Sequence, residues 1–551
     1  MKLNGFTSTN NNRPEAKNTA RARWWILGVV LATLAAAPLM AQDWPMFGVD
    51  TTNTATNSSR ISTSNVAQLK TKWTFTTGGD VSARAAVVKG VAYFPDWGGN
   101  LWAVNTDNGK LIWSHQFSDY GLPANTHSRS TPAVDGDDMY IGTQEGAWLL
   151  KIDTRTGNLD WKTQLETQDP YAIISTSPTV QGNTVYTGVA SIAEGATTYG
   201  VDLATNYTAR GSVVAVSANK GDIQWKTYTV SYGYIGGGVW GSNPVVDTSR
   251  KTVYIGTGDN YSHPHNDAPS SDPNLTFGQC ILNNTEANCL SPDDHVDSIL
   301  ALDIKTGAIK WSRKMVTWNQ YYEPVNGYDD WNVDCLLGGT QCPTNPGPGP
   351  DYDFGSAPNL ITYKDSKGKP HTFIGAGQKS GIYYALDPDT GATLWQTQVG
   401  PGSALGGIEW GSASDGQRIY VAIADLFGIP YPNPSTGPIN AGSWAALDPA
   451  TGAILWQTAD PNGAIDIGPM AVSNGVVYGS SMASGLTAPT LFALDAATGN
   501  PLWSFVTGVS VNAGATIVKD SVYWGSGYTH LHFPGQTGGN NTFYAFSVNC
   551  N

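Results

Sequence analysis

The sequence predicts an all-β fold, an eight-bladed β-propeller, and three observations predict it. An eleven-residue pattern, Ala-Leu-Asp-Pro-Asp-Thr-Gly-Ala-Thr-Leu-Trp at Ala385–Trp395, recurs at Ala103–Trp113, Lys151–Trp161, Ala215–Trp225, Ala301–Trp311, Ala446–Trp456 and Ala493–Trp503. The chain ends carry complementary halves of it: Tyr544–Val548 reads as a first strand with no turn after it, and Lys72–Phe75 as a second strand with nothing before it. The composition agrees, because 63 glycines, 20 Trp and 25 Tyr against 13% charged residues suit many short strands joined by tight turns.

Each copy reads as strand, turn, strand. An Asp, Asn or Ser opens the turn with a side chain that can bond to backbone. A glycine (Gly109, Gly157, Gly221, Gly307, Gly391, Gly452, Gly499) then takes the positive φ that other residues resist. The closing Trp buries a large ring between neighbouring units. Seven complete copies plus the paired chain ends make eight blades and close the ring, leaving no exposed interior sheet edge. A seven-bladed count would leave Trp73 unexplained. Because the repeat runs from Trp73 to Val548, one large propeller is expected rather than the several domains that 551 residues could hold.

The first residues read as a targeting segment. Arg21 and Arg23 precede an apolar run, Trp24–Ala37, followed by Pro38-Leu39-Met40-Ala41. Cleavage is expected after Ala41, leaving residues 42–551 as the propeller; the alternative, an uncleaved anchor, is disfavoured because the run falls short of a full span. Removing residues 1–41 takes away five basic residues and one acidic one and carries the formal charge from −14 to −18. So acidic a chain is unsuited to non-specific binding of nucleic acid or anionic lipid, and it would attract a basic cytochrome.

Five cysteines, Cys280, Cys289, Cys335, Cys342 and Cys550, suit an exported protein. Local disulfides Cys280–Cys289 and Cys335–Cys342 are expected, with Cys550 left over. No Cys-x-x-Cys-His is present, which excludes covalent c-type haem in this chain, and the spacings do not fit the common zinc patterns.

The intervals between closing tryptophans locate the function. Trp113 to Trp161 spans 48 residues and Trp456 to Trp503 spans 47, whereas the intervals ending at Trp225, Trp311 and Trp395 span 64, 86 and 84. The surplus is an insertion in three consecutive blades, where loops on a rigid scaffold build a site. Part of it, Pro343–Pro350, is a Pro/Gly-rich loop without chemistry of its own.

Several segments of these blades carry chemistry-bearing residues. Val185–Glu194 leaves a strand through Ser191-Ile192-Ala193-Glu194, and Tyr254–Asn260 reads Tyr-Ile-Gly-Thr-Gly-Asp-Asn. Gly236–Gly241 reads Gly-Gly-Gly-Val-Trp-Gly, and Gly377–Gly381 reads Gly-Gln-Lys-Ser-Gly. With Ser128-Arg129-Ser130-Thr131-Pro132, these resemble the pyrroloquinoline quinone (PQQ)-dependent alcohol dehydrogenases, and more closely the polyvinyl alcohol dehydrogenase-like branch, over nearly all of the chain after the leader.

The resemblance implies that Glu194 binds an active-site Ca²⁺ through hard oxygen, with Asp259 or Asn260 as a second ligand. It implies that Ser191, Ala193 and Thr176 hold the quinone, that Trp240 forms the floor under the planar ring, and that Trp410 lies against it. Arg129 would pair a PQQ carboxylate, and Lys379 would stabilise the quinone oxygens as they become negative. Each position also has a plainer reading: a Glu or Lys in a turn is ordinarily solvated, a Gly-rich Asx turn needs no metal, and a Trp ordinarily packs in a core. Trp240 departs from the repeat's own Trp position and follows three glycines, which favours the cofactor role. The adjacent cysteine pair that many of these enzymes place over the quinone is missing here.

The family's Trp-Asp pattern supplies the base that takes the alcohol proton. Here Tyr328-Asp329-Asp330-Trp331-Asn332-Val333-Asp334 has Asn332 at that position, and an amide is no base at neutral pH. Asp334, two residues on and on the same side of an extended strand, is the first candidate; Asp330 is the second, and Asp353 in Asp351-Tyr352-Asp353-Phe354-Gly355 the third. The plainer reading is that these acids only rim the mouth.

The expected function is therefore a periplasmic quinoprotein alcohol dehydrogenase. It would use PQQ and Ca²⁺ to oxidise alcohols, secondary and polymeric ones such as polyvinyl alcohol included, to ketones. Its electrons would pass to an external cytochrome c. Two readings compete: a non-catalytic propeller scaffold of the outer-membrane assembly type, which has no use for Glu194, Trp240, Asp259 and Lys379, and an inactive relative, which Asn332 favours.

Overall fold

The computed structural model describes residues 43–193, 208–241, 243–261, 264–283, 289–315, 351–434, 437–529 and 539–549. The chain divides into residues Met1–Met40 and Ala41–Asn551, and the second unit is the propeller. Its strands form eight antiparallel sheets arranged as blades, each with four strands in simple meander order; the third carries one additional short strand, Ala172–Ile173. The first blade is Ala86–Val88, Val91–Pro95, Asn100–Asn105 and Leu111–Gln116, and the pattern repeats through the seventh, which ends at Pro501–Phe505. The eighth blade is Thr516–Val518, Ser521–Gly525 and Thr542–Ser547 completed by Lys70–Thr76, with Trp73 opposite Ala545. The ring is closed by the two chain ends, as the split pattern requires.

The joints between blades follow from the repeat. The indole nitrogens of Trp73, Trp113, Trp161 and Trp225 donate to the carbonyls of Thr106, Thr154, Ala218 and Ile304 in the next blade, at 2.8–3.2 Å. Those of Trp311, Trp395 and Trp456 donate to Pro388, Pro449 and Ala496, and Trp503 donates to Leu69 where the circle closes. The turn glycine is required twice over. Gly307 has φ +70°, and a Cβ there would lie 2.5 Å from the ring of Trp225. The Asx opening is present as well: Asp303 Oδ1 accepts the backbone amides of Lys305 and Thr306.

Residues 44–60 form a strap that the repeat does not announce. It pairs with the first blade through Trp44 and Val87, accepts the Val134 amide on Pro45 and the Val246 amide on Thr51. It then accepts Leu360, Ser414 and Val472 on Thr52, Thr54 and Ala55, and donates from Arg60 to Lys519. The strap thus touches the first strand of most blades at one end of the central channel. Fully buried Arg84 ties it down, donating to Phe47 O at 2.6 Å and to Met470 O at 2.8 Å.

Cys280 and Cys289 are disulfide-bonded across the insertion of the fourth blade, as expected; Cys335, Cys342 and Cys550 lie outside the described residues. Among the described residues no helix is long and apolar enough to cross a membrane.

Replacing Gly307 with Ala forces a Cβ into the Trp225 ring and a non-glycine residue into positive φ. The expected loss is about 2–3 kcal/mol of stability, read as a lower urea midpoint with an unchanged m-value.

Candidate active site

Antiparallel strands alternate in direction, so the ends of all second strands and the beginnings of all first strands share one face of the ring. That face gathers the residues singled out in the sequence. Asp259 follows the second strand of the fourth blade (Thr252–Gly256), and Lys379 follows that of the fifth (Pro370–Gly377). Arg129, Trp240, Asp353 and Trp410 all precede first strands.

Asp353 is the centre of the cluster. Its Oδ1 accepts the Asp259 backbone amide at 2.7 Å, and its Oδ2 accepts the Trp240 indole N–H at 2.8 Å and the Lys379 ammonium at 3.3 Å. Lys379 Nζ also donates to Asp351 Oδ1 at 2.8 Å and lies 5.0 Å from the centre of the Trp240 ring. Asp351, Asp353, Asp259 and Lys379 are all buried, and the three carboxylates offer oxygens within 4.8 Å of one another.

The glycines explain how the chain comes this close. A Cβ on Gly258 would stand 2.7 Å from Asp353 Oδ1, and one on Gly355 would stand 2.5 Å from the Trp240 ring. The run Gly236–Gly238 is laced to the same loop, with the Gly237 amide donating to Asp259 O and the Gly258 amide to Gly238 O. The Gly-Thr-Gly-Asp and Gly-Gly-Gly-Val-Trp-Gly segments thus form one device holding Trp240 against Asp353.

Trp240 stands edge-on to Trp410, with ring centres 5.3 Å apart and planes at 76°. The Arg129 guanidinium stacks 3.9 Å from the Trp410 ring centre and also faces Trp97 and Tyr528. Thr176 donates to Val239 O at 2.7 Å and so fixes the residue before Trp240. Ser191 accepts the Ala193 amide at 3.1 Å, turning the chain toward Glu194, which itself lies outside the described residues. Asp330 and Asp334 lie outside them too.

Asp259 joins the acidic cluster, while the Asn260 amide nitrogen donates to Asp294 Oδ2 at 3.0 Å and its buried Oδ1 has no partner among the described residues. Asp353, the third candidate base by sequence, is the acid found at the centre, with Asp351 beside it. The search for a Trp-Asp pattern passed over Asp351-Tyr352-Asp353, although its two acids are separated by one residue just before the first strand of an enlarged blade.

Glu409 was also missed. Burial pushes its carboxyl up to about 7 against the opposing pull of Lys379 and Arg129, with Asp353 adding to the rise. A signal was available: Gly406-Gly407-Ile408-Glu409-Trp410-Gly411-Ser412 echoes Gly236-Gly237-Gly238-Val239-Trp240-Gly241-Ser242 at the first two glycines and at Trp-Gly-Ser.

Three buried carboxylates beside one lysine leave net negative charge in a water-poor site, an arrangement that is costly without a cation. The donor set is hard oxygen and suits Ca²⁺. The half-buried Trp240 face, with a cation at one side and Trp410 at another, suits a flat anionic ring.

The fold and the site together define a closed propeller carrying a buried cluster of acids, a lysine and indoles. The chain belongs to the family described as outer membrane protein assembly factor BamB, whose sequence model matches residues 19–227 and 378–541. It is similar to a polyvinylalcohol dehydrogenase of Pseudomonas sp, 27% identical over 506 residues that cover 85% of this chain and 70% of that protein. A second polyvinylalcohol dehydrogenase, of Sphingopyxis sp. (strain 113P3), is 26% identical over 85% of this chain and 70% of its own length. Among solved structures, the quinohemoprotein alcohol dehydrogenase from Comamonas testosteroni has a TM-score of 0.64 at 19% identity, over 92% of this chain and 81% of that one, which shows the fold. The resemblance to quinoprotein alcohol dehydrogenases, the polyvinyl alcohol branch foremost, is borne out.

Because the Glu409 carboxyl sits near 7 in the fold against an ordinary value of 4.5, the folded protein keeps a proton that the unfolded chain releases. Its contribution to stability therefore falls as pH rises from about 4.5 to about 7 and is level above, by about 3 kcal/mol in all. Glu409→Gln is expected to remove that decline, so its Tm overtakes wild type above neutral pH; thermal melts of the apo protein across this window check it.

Proposed function

We propose that this chain is an exported quinoprotein alcohol dehydrogenase: residues 1–41 direct export to the periplasm, and residues 42–551 form the catalytic propeller. The observation that carries the reading is the meeting of Asp259, Asp351 and Asp353 around Lys379 beside the Trp240 ring. It is supported by the family match itself, which skips residues 228–377. Trp240, Asp259, Asp351 and Asp353 all fall in the skipped stretch, so what this chain adds to the shared scaffold is the charged cluster.

Asp259, Asp353 and Glu194 would hold Ca²⁺, and PQQ would lie on Trp240 with a carboxylate at Arg129 and with Thr176, Ser191, Ala193 and Trp410 around it. When bound, the metal-polarised quinone supplies a two-electron acceptor for the hydride of the alcohol carbon. The rest is the work of the chain. Asp353 accepts three donors, which fix its carboxylate in place for a cation. Asp351, held by the same lysine, takes the hydroxyl proton as base. Lys379 neutralises negative charge developing above Trp240, and the indoles exclude water.

The substrate is an alcohol, and the two polyvinylalcohol dehydrogenases point to secondary hydroxyls, on polymers among them. Electrons leave to an external cytochrome c, toward which the strongly acidic chain supplies attraction.

Purified apo protein given PQQ and Ca²⁺ is expected to bind the quinone, seen by its absorbance, and to reduce dye with secondary alcohols and polyvinyl alcohol. Asp351→Asn should keep calcium-dependent quinone binding and lose turnover about 10²–10⁴-fold, whereas Asp353→Asn should lose the binding. Absence of quinone binding by wild type would leave the scaffold reading in its place; binding without turnover would leave the inactive relative.

A further inference from the structure

Below the site, between Trp410 and the strap, the channel narrows to a second cavity. It is lined by Phe47, Ser82, Arg84, Arg129, Thr131, Ser177, Asn512 and the ring of Trp410, and no carboxylate is among the lining residues. It leaves about 20 Å³ for the centres of water-sized occupants. One water needs about 10–15 Å³ on that measure, so the space suits one or two small species and neither a quinone nor an alcohol polymer.

The lining is rich in donors. Arg84 is fully buried, its hydrogen-bonded partners are the neutral carbonyls of Phe47, Pro469 and Met470, and its Nε has no partner. Burial lowers its pKa only to about 9, so it is a cation at neutral pH. Among the described residues neither Arg84 nor Arg129 forms an ion pair with a carboxylate. The Thr131 hydroxyl is 1% exposed as a residue and has no hydrogen-bond partner. Ser177 Oγ already accepts the Thr131 amide at 2.9 Å, and Ser82 Oγ accepts the Trp97 indole at 2.8 Å, so each hydroxyl has its proton left to give. Arg84 is fully buried with no carboxylate partner, part-buried Arg129 draws on Glu409, and the spare O–H and N–H donors around them are the complement of an anion.

We propose that this axial cavity binds a small inorganic anion of halide size between Arg84 and Arg129, with the hydroxyls of Ser82, Thr131 and Ser177 completing its shell. The anion neutralises the inner end of the channel and braces the underside of Trp410, and its binding requires neither PQQ nor Ca²⁺.

The test uses the purified chain with neither cofactor added. Crystals grown with bromide as the sole halide should show an anomalous peak in the cavity within hydrogen-bond distance of Thr131 Oγ1. Thermal melts in bromide should rise saturably over those in isethionate at equal ionic strength. Because Arg84 also secures the strap, the variant that carries the test is isosteric Thr131→Val, which removes one donor and should weaken the apparent bromide affinity about tenfold. A cavity that holds only water in bromide crystals, or a halide response unchanged in Thr131→Val, would overturn the proposal.

Discussion

The indole of each docking tryptophan spans a joint between two blades, its ring on the turn glycine and its N–H on a carbonyl of the next blade. Everything else in the molecule depends on that contact being made all the way round. A single blade has one wet edge and two apolar faces and cannot stand alone; the ring gives every face a neighbour. A buried Trp is worth about 3–5 kcal/mol against Ala, a large part of the net stability of an ordinary domain. The last joint, Trp503 to Leu69, is made across the chain ends and has no turn of its own, so the circle closes through the strand Lys70–Thr76.

Closure is also what permits the axis to be charged. Asp259, Asp351 and Asp353 come from the fourth and fifth blades, and a freely moving chain would separate three such carboxylates. They are held together by backbone: Lys379 N donates to Asp353 O, Phe354 N to Thr257 O, and Asp259 N to the Asp353 carboxylate. Arg84 in turn binds the strap to the seventh blade.

The repeat was fully legible because its parts are local: an Asx opening, a glycine and a tryptophan at constant spacing report a turn and a joint without reference to any other segment. The pairing of the chain ends was legible for the same reason, each end being half of a known unit. The strap was not, since residues 44–60 make their bonds to backbone, and a side-chain pattern carries no trace of carbonyls supplied to other strands. Within the site, Trp240, Lys379 and Asp259 stood out by position in enlarged blades, and the structure brings them together. Asp353 stands third among the acids of its insertion by sequence because its approach to Asp259 and Lys379 depends on contacts between two blades, which no local pattern reports. The echo of Gly236–Ser242 marks the segment of Glu409, but its burial beside Lys379 and Arg129, groups from two other blades, is not a local pattern.

The echo between Gly236–Ser242 and Gly406–Ser412 gives the site its shape. The two segments precede the first strands of the fourth and sixth blades, on either side of the fifth blade, which supplies Asp351, Asp353 and Lys379. In both, paired glycines let the backbone approach the axis, and the tryptophan that follows is turned into the channel instead of into a joint. Gly237 has φ +61° and Gly406 has φ +103°, which no other residue adopts as cheaply. Two like devices at different angles around the ring deliver their indoles at 76° to each other, so one can be a floor and the other a wall. The acid and lysine groups then stand in the corner between them. Of the two segments, only the sixth-blade copy replaces Val239 with an acid, Glu409, which puts a titrating group next to Trp410, while the charged groups beside Trp240, Asp353 and Lys379, come from the fifth blade.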